Sequence, residues 1–470
     1  MKTLQNDYIC SVFYKYKTQE MKELYQRFIA SAGVCTDTRK IVPNSIYFAL
    51  KGASFDGNAF AAEALNKGAT LAVIDNPAYQ IDERTLLVPD ALLALQELAN
   101  YHRRTLKTLI IGITGSNGKT TTKELIKSVL SEAMQVVATE GNLNNAIGVP
   151  LTLLSIKPET DIAIVEMGAN HPHEIADLCR IAEPDYGYIT SIGKAHLEGF
   201  GSFEGVIKTK AELYDYLKAH QKTIIYNADD TLQQSLVEGY ANVYSFGTTD
   251  EVNVPVACVA VQPVSIRFSE GAVLQTEEPA TKDLPYIDTT IKGFSGATTA
   301  VSHLMGSYNF NNIAAAVAFG RYFRLPAAAI KRGVEKYVPH NNRSQLMVWG
   351  TNTLLLDAYN ANPSSMAAAI HNVLTMPNFT KKVLILGDMF ELGDYAAAEH
   401  QQIVDSLTPH QWEGVYLVGQ HFARTKSPYA QYETFEAFQE AFKQLTFTDS
   451  LILIKGSRGM ALERLITNNG

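Results

Sequence analysis

Residues 108–132 read TLIIGITGSNGKTTTKELIKSVLSE. The opening TLIIGIT is a short apolar run rich in isoleucine, which reads as a buried strand. KTTTKELIKSVLSE (119–132) spaces its apolar residues as one face of a helix. Between them lies a glycine-rich loop, and strand, loop and helix in that order are the context a phosphate loop needs. Glycines let backbone N–H groups turn inward around phosphate oxygens. The N-terminus of the following helix adds a favourable dipole. Gly115, Ser116, Asn117, Gly118, Lys119, Thr120 and Thr121 are the expected cradle. Lys119 would reach the β- and γ-phosphates, and the Thr120 hydroxyl would ligate Mg²⁺. The common form of this motif has four residues between its glycines. Here Gly112 and Gly118 are separated by five residues and Gly115 and Gly118 by two, a GxxGKT variant. Alone, the loop specifies ATP or GTP and leaves kinases, transporters, switches and ligases open.

Downstream the same rhythm continues. QVVATEG (135–141), DIAIVEMG (161–168), YGYITSIG (186–193) and KTIIYNAD (222–229) read as strands, most of them separated by helical stretches. That alternation predicts a mostly parallel sheet, with ligands at the carboxyl ends of its strands. Residues 252–304 break the rhythm with short β-like runs and several prolines, as a β excursion would. NFNNIAAAVAFGRYF (309–323) predicts a helix ending before Pro326. A further α/β block follows, with strands at TLLLDAY (353–359), KVLILGD (382–388), GVYLVGQ (414–420) and SLILIKGS (450–457). Upstream, SIYFAL (45–50) and TLAVID (70–75) read as strands around a helix over 59–69. The fold class expected is α/β in three domains: a small N-terminal α/β domain (1–105, with 1–20 an extension), a central P-loop domain with a mostly parallel sheet (106–337), and a C-terminal Rossmann-like domain (338–470).

The chain is 470 residues long, which at roughly 150 residues per domain also suggests about three domains. Its net charge of −8 argues against a general nucleic-acid binder, which would need a basic face. A small anionic ligand is not excluded, because a local cluster of donors can bind one. The four cysteines, Cys10, Cys35, Cys179 and Cys258, are scattered without CxxC or zinc spacing, so a reducing compartment is expected. No apolar stretch is long enough for a membrane span. The patch Tyr8–Phe13 is too short for a signal sequence. A soluble cytoplasmic monomer is the expectation.

Several polar residues fall at expected strand ends. Glu166 in IVEMGAN is a carboxylate closing an apolar strand; it is either a Mg²⁺ ligand or a solvent-facing strand end. His196 in SIGKAHLEGFGS admits a structural or a functional reading. His171 and His173, beside a proline, read as surface residues. Lys208 reads as solvated, and Lys210 lies on the same helical segment. Asn142, Asn144 and Asn145 in EGNLNNAIGVP could hold phosphate or carboxylate oxygens, or make turns.

These segments, taken in order, resemble the ATP-dependent Mur ligases, over about residues 24–466. GxxGKT followed by GNLNNAIGVPLTLL matches the family's nucleotide segment. EMGANHPHEI and IGKAHLEGFGS match its two metal-site segments. The resemblance implies that Glu166 and His196 bind a second Mg²⁺, and that Lys210 in KTKAEL is a lysine that reacts with CO₂ to form a carbamate. GSYNFNNIAAA (306–316) places Asn309 and Asn312 near the nucleotide. Arg343 in NNRSQ and Asp357 in DAYNANPSSM are implied to reach ATP from the third domain. DAYNANPSSM, LGDMFELG (386–393) with Glu399–His400, and IKGSRGMALE (454–463) resemble the branch that adds D-alanyl-D-alanine to UDP-N-acetylmuramoyl-tripeptide. Tyr359, Asn360 and Asn362 would then lie near the dipeptide. TDTR (36–39) and FALKGASFDGNAF (48–60) resemble UDP-sugar recognition segments, placing Thr38, Arg39, Lys51 and Asp56 there. The implied catalytic set is Lys119, Lys210, His196 and Glu166. Two departures touch none of these: Cys35 stands where a small hydroxyl residue is common, and TSIG (190–193) lacks the usual asparagine. The rivals are a folylpolyglutamate synthase of the same superfamily and a P-loop switch without ligase chemistry.

Overall fold

The structure is a computed structural model that describes residues 18–247, 259–269, 284–291, 298–304, 309–339, 343–376 and 379–467. Cys10, Cys258, residues 306–308 and 341–342, most of the expected N-terminal extension and parts of the expected β excursion lie outside them. The chain divides into two compact units. The first holds the residues up to Gly112, Gln135–Met167 and Asp177–Asp185; the second holds Ile113–Met134, Gly168–Ala176 and Tyr186 onward.

In the first unit, β1 (Val34–Cys35), β2 (Ile46–Phe48), β3 (Leu71–Ile74) and β4 (Thr85–Leu87) form a wholly parallel sheet in that order. β2 and β3 are buried at every position, as parallel strands covered on both faces must be. Helix Ala91–Thr105 starts at an N-cap, Asp90, whose carboxylate accepts from Leu93 N–H. Its last turn carries His102, Arg103 and Arg104, which suit the negative end of the helix dipole. Arg103 forms a 2.7 Å ion pair with Asp185, and His102 Nε2 lies 2.8 Å from the Ile156 carbonyl. The strand order continues in this unit as β5 (Leu109–Thr114), β7 (Ile162–Glu166) and β6 (Val136–Ala138), where β6 and β7 are parallel.

The end of β5 belongs to the second unit. There the order outward from β5 is β8 (Tyr186–Ile189), β9 (Thr223–Asn227), β10 (Val243–Gly247), β11 (Val259–Ser269), β12 (Leu284–Ile291) and β13 (Thr298–Val301). β8 to β11 run parallel, whereas β11–β12–β13 is an antiparallel meander. The expected excursion is thus built onto the end of the parallel sheet. The other sheet of this unit is ordered β14 (Gln345–Trp349), β15 (Asn352–Leu356), β19 (Ser450–Lys455), β16 (Lys381–Gly387), β17 (Gly414–Val418) and β18 (Ala430–Tyr432). Only β14 is antiparallel to its neighbour. β19 inserts between β15 and β16, so the chain order reverses there, and crevices form at such switch points. Its core joins Leu354, Leu356, Ile385, Ile452 and Ile454 of the strands to Phe435, Phe438 and Phe442 of helix Phe435–Phe442. Each such buried side chain contributes about 1.5–3 kcal/mol of transfer free energy.

Candidate functional site

The phosphate loop sits where its composition places it, between β5 and helix Lys119–Leu130. Gly115 and Gly118 have φ of +143° and +81°, in the region L side chains avoid. The loop is fastened to the segment following β8. Ser116 N–H donates to the Ser191 carbonyl at 2.7 Å, and its hydroxyl donates to the Gly193 carbonyl at 2.9 Å. The Thr190 hydroxyl donates to the Asn117 carbonyl at 2.5 Å. Lys119 Nζ folds back to donate to the Gly115 carbonyl at 2.7 Å. Thr120 and Thr121 are buried in the first helical turn. Asn309 and Asn312 are buried as well, but they face one another. Asn312 Nδ2 donates to Asn309 Oδ1 at 2.8 Å, and Thr122 donates to Asn312 Oδ1 at 2.9 Å. They buttress the helix that carries Lys119.

A Cβ at Gly118 would stand 2.7 Å from Asn312 Oδ1, on a backbone already at positive φ. Gly118→Ala therefore pushes the loop out of its cradle, and a nucleotide must restore it. With about 1–2 kcal/mol for a left-handed alanine, ADP affinity should fall roughly five- to thirtyfold; a fluorescent-ADP titration that finds it unchanged contradicts this.

Glu166 closes β7 and is 2% exposed. Asn144 Nδ2 donates to its Oε1 at 2.9 Å, and the Thr139 hydroxyl accepts from its N–H at 2.9 Å. Asn145 instead makes a turn ahead of helix Gly148–Leu154, its Oδ1 accepting from Ile147 and Gly148 N–H groups, and Asn142 is exposed.

Lys210 lies on helix Phe203–Ala219 and is 1% exposed. Its Nζ donates to the Ala169 carbonyl at 3.3 Å and lies 5.3 Å from the Phe200 ring centre. Burial first, and the nearby Lys119 charge second, pull its pKa down from 10.5 to about 7. Lys208, two positions earlier, is exposed, as are His171 and His173. The His196 ring also meets Phe200 edge-on. His196 has a left-handed backbone, φ 53°. Its Nδ1 lies 2.5 Å from Glu391 Oε2 in an ion-pair contact, yet makes no directed hydrogen bond. The His196 ring holds the Glu391 carboxyl below the usual range.

At the switch point of the other sheet, Asp357 follows β15 and Lys455 ends β19. Lys455 is 2% exposed and pairs with Asp357 Oδ2 at 2.7 Å, while Asp357 Oδ1 accepts from Ser344 N–H. Lys455 Nζ also donates to the Asn360 carbonyl at 3.1 Å. The Arg343 guanidinium stacks on the Tyr359 ring at 3.6 Å. Asn362 caps helix Pro363–Thr375 and donates from Nδ2 to Asn117 Oδ1 of the phosphate loop at 2.8 Å. Lys194 donates to Glu399 at 2.5 Å, and Lys194 N–H to the Ser364 hydroxyl at 3.0 Å. Phosphate loop, β8 loop and the crevice of this sheet are therefore one connected arrangement. Lys455, Ser364, Glu391 and Lys194 were absent from the sequence-based set. Lys455 carried a signal, a lysine closing a run of apolar strand residues.

In the first unit, Thr38 and Arg39 follow β1, and Lys51 and Asp56 follow β2, all beyond carboxyl ends of parallel strands. Lys51 pairs with Asp75, which follows β3, at 2.9 Å. Asp56 Oδ1 accepts from the buried Asn58 amide at 2.6 Å, and Asn58 also donates to Asp75 at 2.7 Å. Arg39 is turned back onto Asp37, whose carboxyl it lowers to about 2. Asp75 and Asn58, which organise this loop cluster, were not anticipated.

Three family profiles cover most of the chain: "Mur ligase family, catalytic domain" over residues 31–103, "Mur ligase middle domain" over 113–320, and "Mur ligase, glutamate ligase domain" over 342–458. The UDP-N-acetylmuramoyl-tripeptide–D-alanyl-D-alanine ligase of Bacillus subtilis is 34% identical over 448 residues, 92% of each chain. A crystal structure of MurF from Acinetobacter baumannii matches with TM-score 0.78 at 29% identity, covering 93% of this chain and 92% of that one. MurF ligase from Thermotoga maritima in complex with ADP also matches at TM-score 0.78, with 26% identity over 93% of this chain and 96% of that one.

Proposed function

We propose, for a chain that belongs to the Mur ligase family, that it joins D-alanyl-D-alanine to UDP-N-acetylmuramoyl-tripeptide using ATP, in the cytoplasmic steps of peptidoglycan synthesis. Full-length similarity to ligases of that name supports the substrates. The observation that carries the chemistry is the bond from Asn362 to Asn117, which ties the DAYNANPSSM segment to the phosphate loop. On this reading nucleotide and acceptor amine meet in one place.

A carboxylate is a poor electrophile and must be activated before an amine can attack it. The terminal carboxylate of the tripeptide takes the γ-phosphoryl group of ATP, and ADP leaves. The amine of D-alanyl-D-alanine then attacks the acyl carbon, loses a proton, and expels phosphate. Lys119 offsets the repulsion between the carboxylate and the γ-phosphate. Arg343 brings a second positive charge from the last sheet. The acyl phosphate must be kept from water, a task this reading gives to the segments that meet around Gly193, Ser364 and Asn117. In this reading residues 1–105 bind the UDP-sugar, 106–337 bind ATP, and 338–470 bind the dipeptide, in a monomer.

Each donor residue, taken singly, is of a type that suits Mg²⁺. Glu166 supplies a buried carboxylate and His196 an imidazole; Thr120 supplies a hydroxyl at the phosphates. Lys210, with a pKa of about 7, holds a neutral amine fraction at neutral pH that can react with CO₂. The carbamate so formed is an anion with carboxylate-like oxygens. When bound, Mg²⁺ would supply positive charge to the γ-phosphate and the reacting carboxylate.

ADP release with UDP-N-acetylmuramoyl-tripeptide should require D-alanyl-D-alanine, with a UDP-pentapeptide product by mass. Release with a different acid and amine would overturn the substrates, and release with neither would overturn the ligase. Lys51→Ala should raise KM for the UDP-tripeptide about tenfold, with kcat within a factor of two, because it removes one charge-assisted contact worth about 1.5 kcal/mol. Steady-state kinetics in the UDP-substrate test it; a fall in kcat alone would place Lys51 elsewhere.

A further inference from the structure

We infer that Glu391 is a positioning residue for His196, so that docking of the segment carrying Glu391 prepares a metal ligand. The inference rests on the reading of His196 as a Mg²⁺ ligand. An imidazole binds a metal through one nitrogen, and the other nitrogen sets the tautomer. A carboxylate beside Nδ1 draws the proton there and leaves the Nε2 lone pair for the ion. Glu391 Oε2 stands 2.5 Å from His196 Nδ1, an atom that is buried and otherwise unpartnered.

The approach is held by the backbone on both sides. His196 and Glu391 both have left-handed φ, 53° and 61°. A non-glycine residue held there is strained, and the strain persists only where neighbours enforce it. The neighbours are visible. Glu198 N–H donates to the Glu391 carbonyl at 3.2 Å, and the Tyr395 hydroxyl donates to the Gly201 carbonyl at 3.2 Å. Lys194 pairs with Glu399 at 2.5 Å. Two glutamates of one segment, Glu391 and Glu399, thus meet Lys194 and His196 of one loop. The Lys194–Glu399 pair is one of several contacts that hold the segment, so it can be lost without undocking, while Glu391 addresses the ligand itself.

Glu391 follows β16 in sequence, and His196 follows β8. If the segment withdraws, His196 loses its carboxylate and is free to take the other tautomer. Metal affinity and docking then favour one another by linkage.

The test uses Mn²⁺ as the probe, titrated by EPR onto the full chain saturated with ADP. In the parent, a second Mn²⁺ beyond the nucleotide's should bind. Glu391→Ala should weaken that second Mn²⁺ about 10–100-fold, and [¹⁵N]histidine spectra should lose the Nδ1–H tautomer of His196. Glu391→Gln keeps an acceptor oxygen and should retain the tautomer. Lys194→Ala should change the second Mn²⁺ affinity less than threefold. Unchanged affinity and tautomer in Glu391→Ala would overturn the inference. Equal loss in Lys194→Ala would also overturn it, because docking alone would then explain the effect. A parent that binds no second Mn²⁺ would overturn the metal reading of His196 and this inference with it.

Discussion

Lys119→Ala should reduce kcat/KM for ATP by about a thousandfold or more, roughly 4 kcal/mol of transition-state stabilisation. The reason lies in charge rather than in affinity. The γ-phosphoryl group and the attacking carboxylate are both anions, and their approach concentrates negative charge where Lys119 reaches. The ammonium already lies over the loop, donating to the Gly115 carbonyl at 2.7 Å. It needs only to swing onto the phosphates. ADP has no γ-phosphate, so ADP affinity should fall far less, within about tenfold. That split between turnover and ADP binding separates lost chemistry from a collapsed loop. Lys119→Arg should not restore the rate, because a planar fork cannot stand in for a compact ammonium in this cradle. ADP release with both substrates present measures it. A variant within tenfold of the parent kcat would remove Lys119 from the reaction.

Much of this arrangement could be read from local patterns, for a physical reason. Buried parallel strands are continuous apolar runs, so β5, β7, β16 and β19 stood out as TLIIGIT, DIAIVE, KVLILG and SLILIK. The phosphate loop was equally legible, since glycine, lysine and threonine are each demanded by the backbone or the ligand. Strands that are short or half-exposed carried too little pattern. β14 alternates in burial at the sheet edge, and β18 has three residues, none of them buried. β10 is buried throughout, but VYSFG mixes a glycine and a serine into the run.

The site divided in the same way. Glu166, His196 and Lys210 were named by the family resemblance, while their surroundings were not. Glu391, Glu399 and Lys194 meet only because separate loops are folded against each other, and no spacing within the chain encodes that. For Asn309 and Asn312 the structure adds what no motif carried: their amides are engaged with each other and with Thr122. Together they support the helix that carries Lys119. Likewise Asp357 is engaged by Lys455, so any contact it makes to ATP must compete with a 2.7 Å ion pair.

Lys210→Met should abolish ligation, by a thousandfold or more, and yet stabilise the fold. A buried lysine is costly when charged. Its pKa of about 7, against an ordinary 10.5, corresponds to at most about 5 kcal/mol of penalty on the bare ammonium. The sign follows from proton counting. Below pH 7 both folded and unfolded chains carry the proton, and the folded state bears the whole penalty. Between pH 7 and 10.5 the unfolded chain binds more protons than the folded one, so stability of the parent rises with pH. Above 10.5 both are neutral and the penalty is gone. Methionine is unbranched and only one atom shorter, without the charge, so its stabilising effect should be largest at pH 6 and fade towards pH 10.5. Denaturant titrations of the CO₂-depleted proteins across that range read the difference. Adding CO₂ near pH 8 should raise the activity of the parent, whose neutral amine can form the carbamate, and leave the variant unchanged. A variant less stable than the parent at pH 6 would show that Lys210 is not buried as a bare cation. A difference constant with pH would show that its amine does not titrate near 7. A lysine kept at this cost, with a pKa at which its amine reacts, is consistent with selection for chemistry over stability.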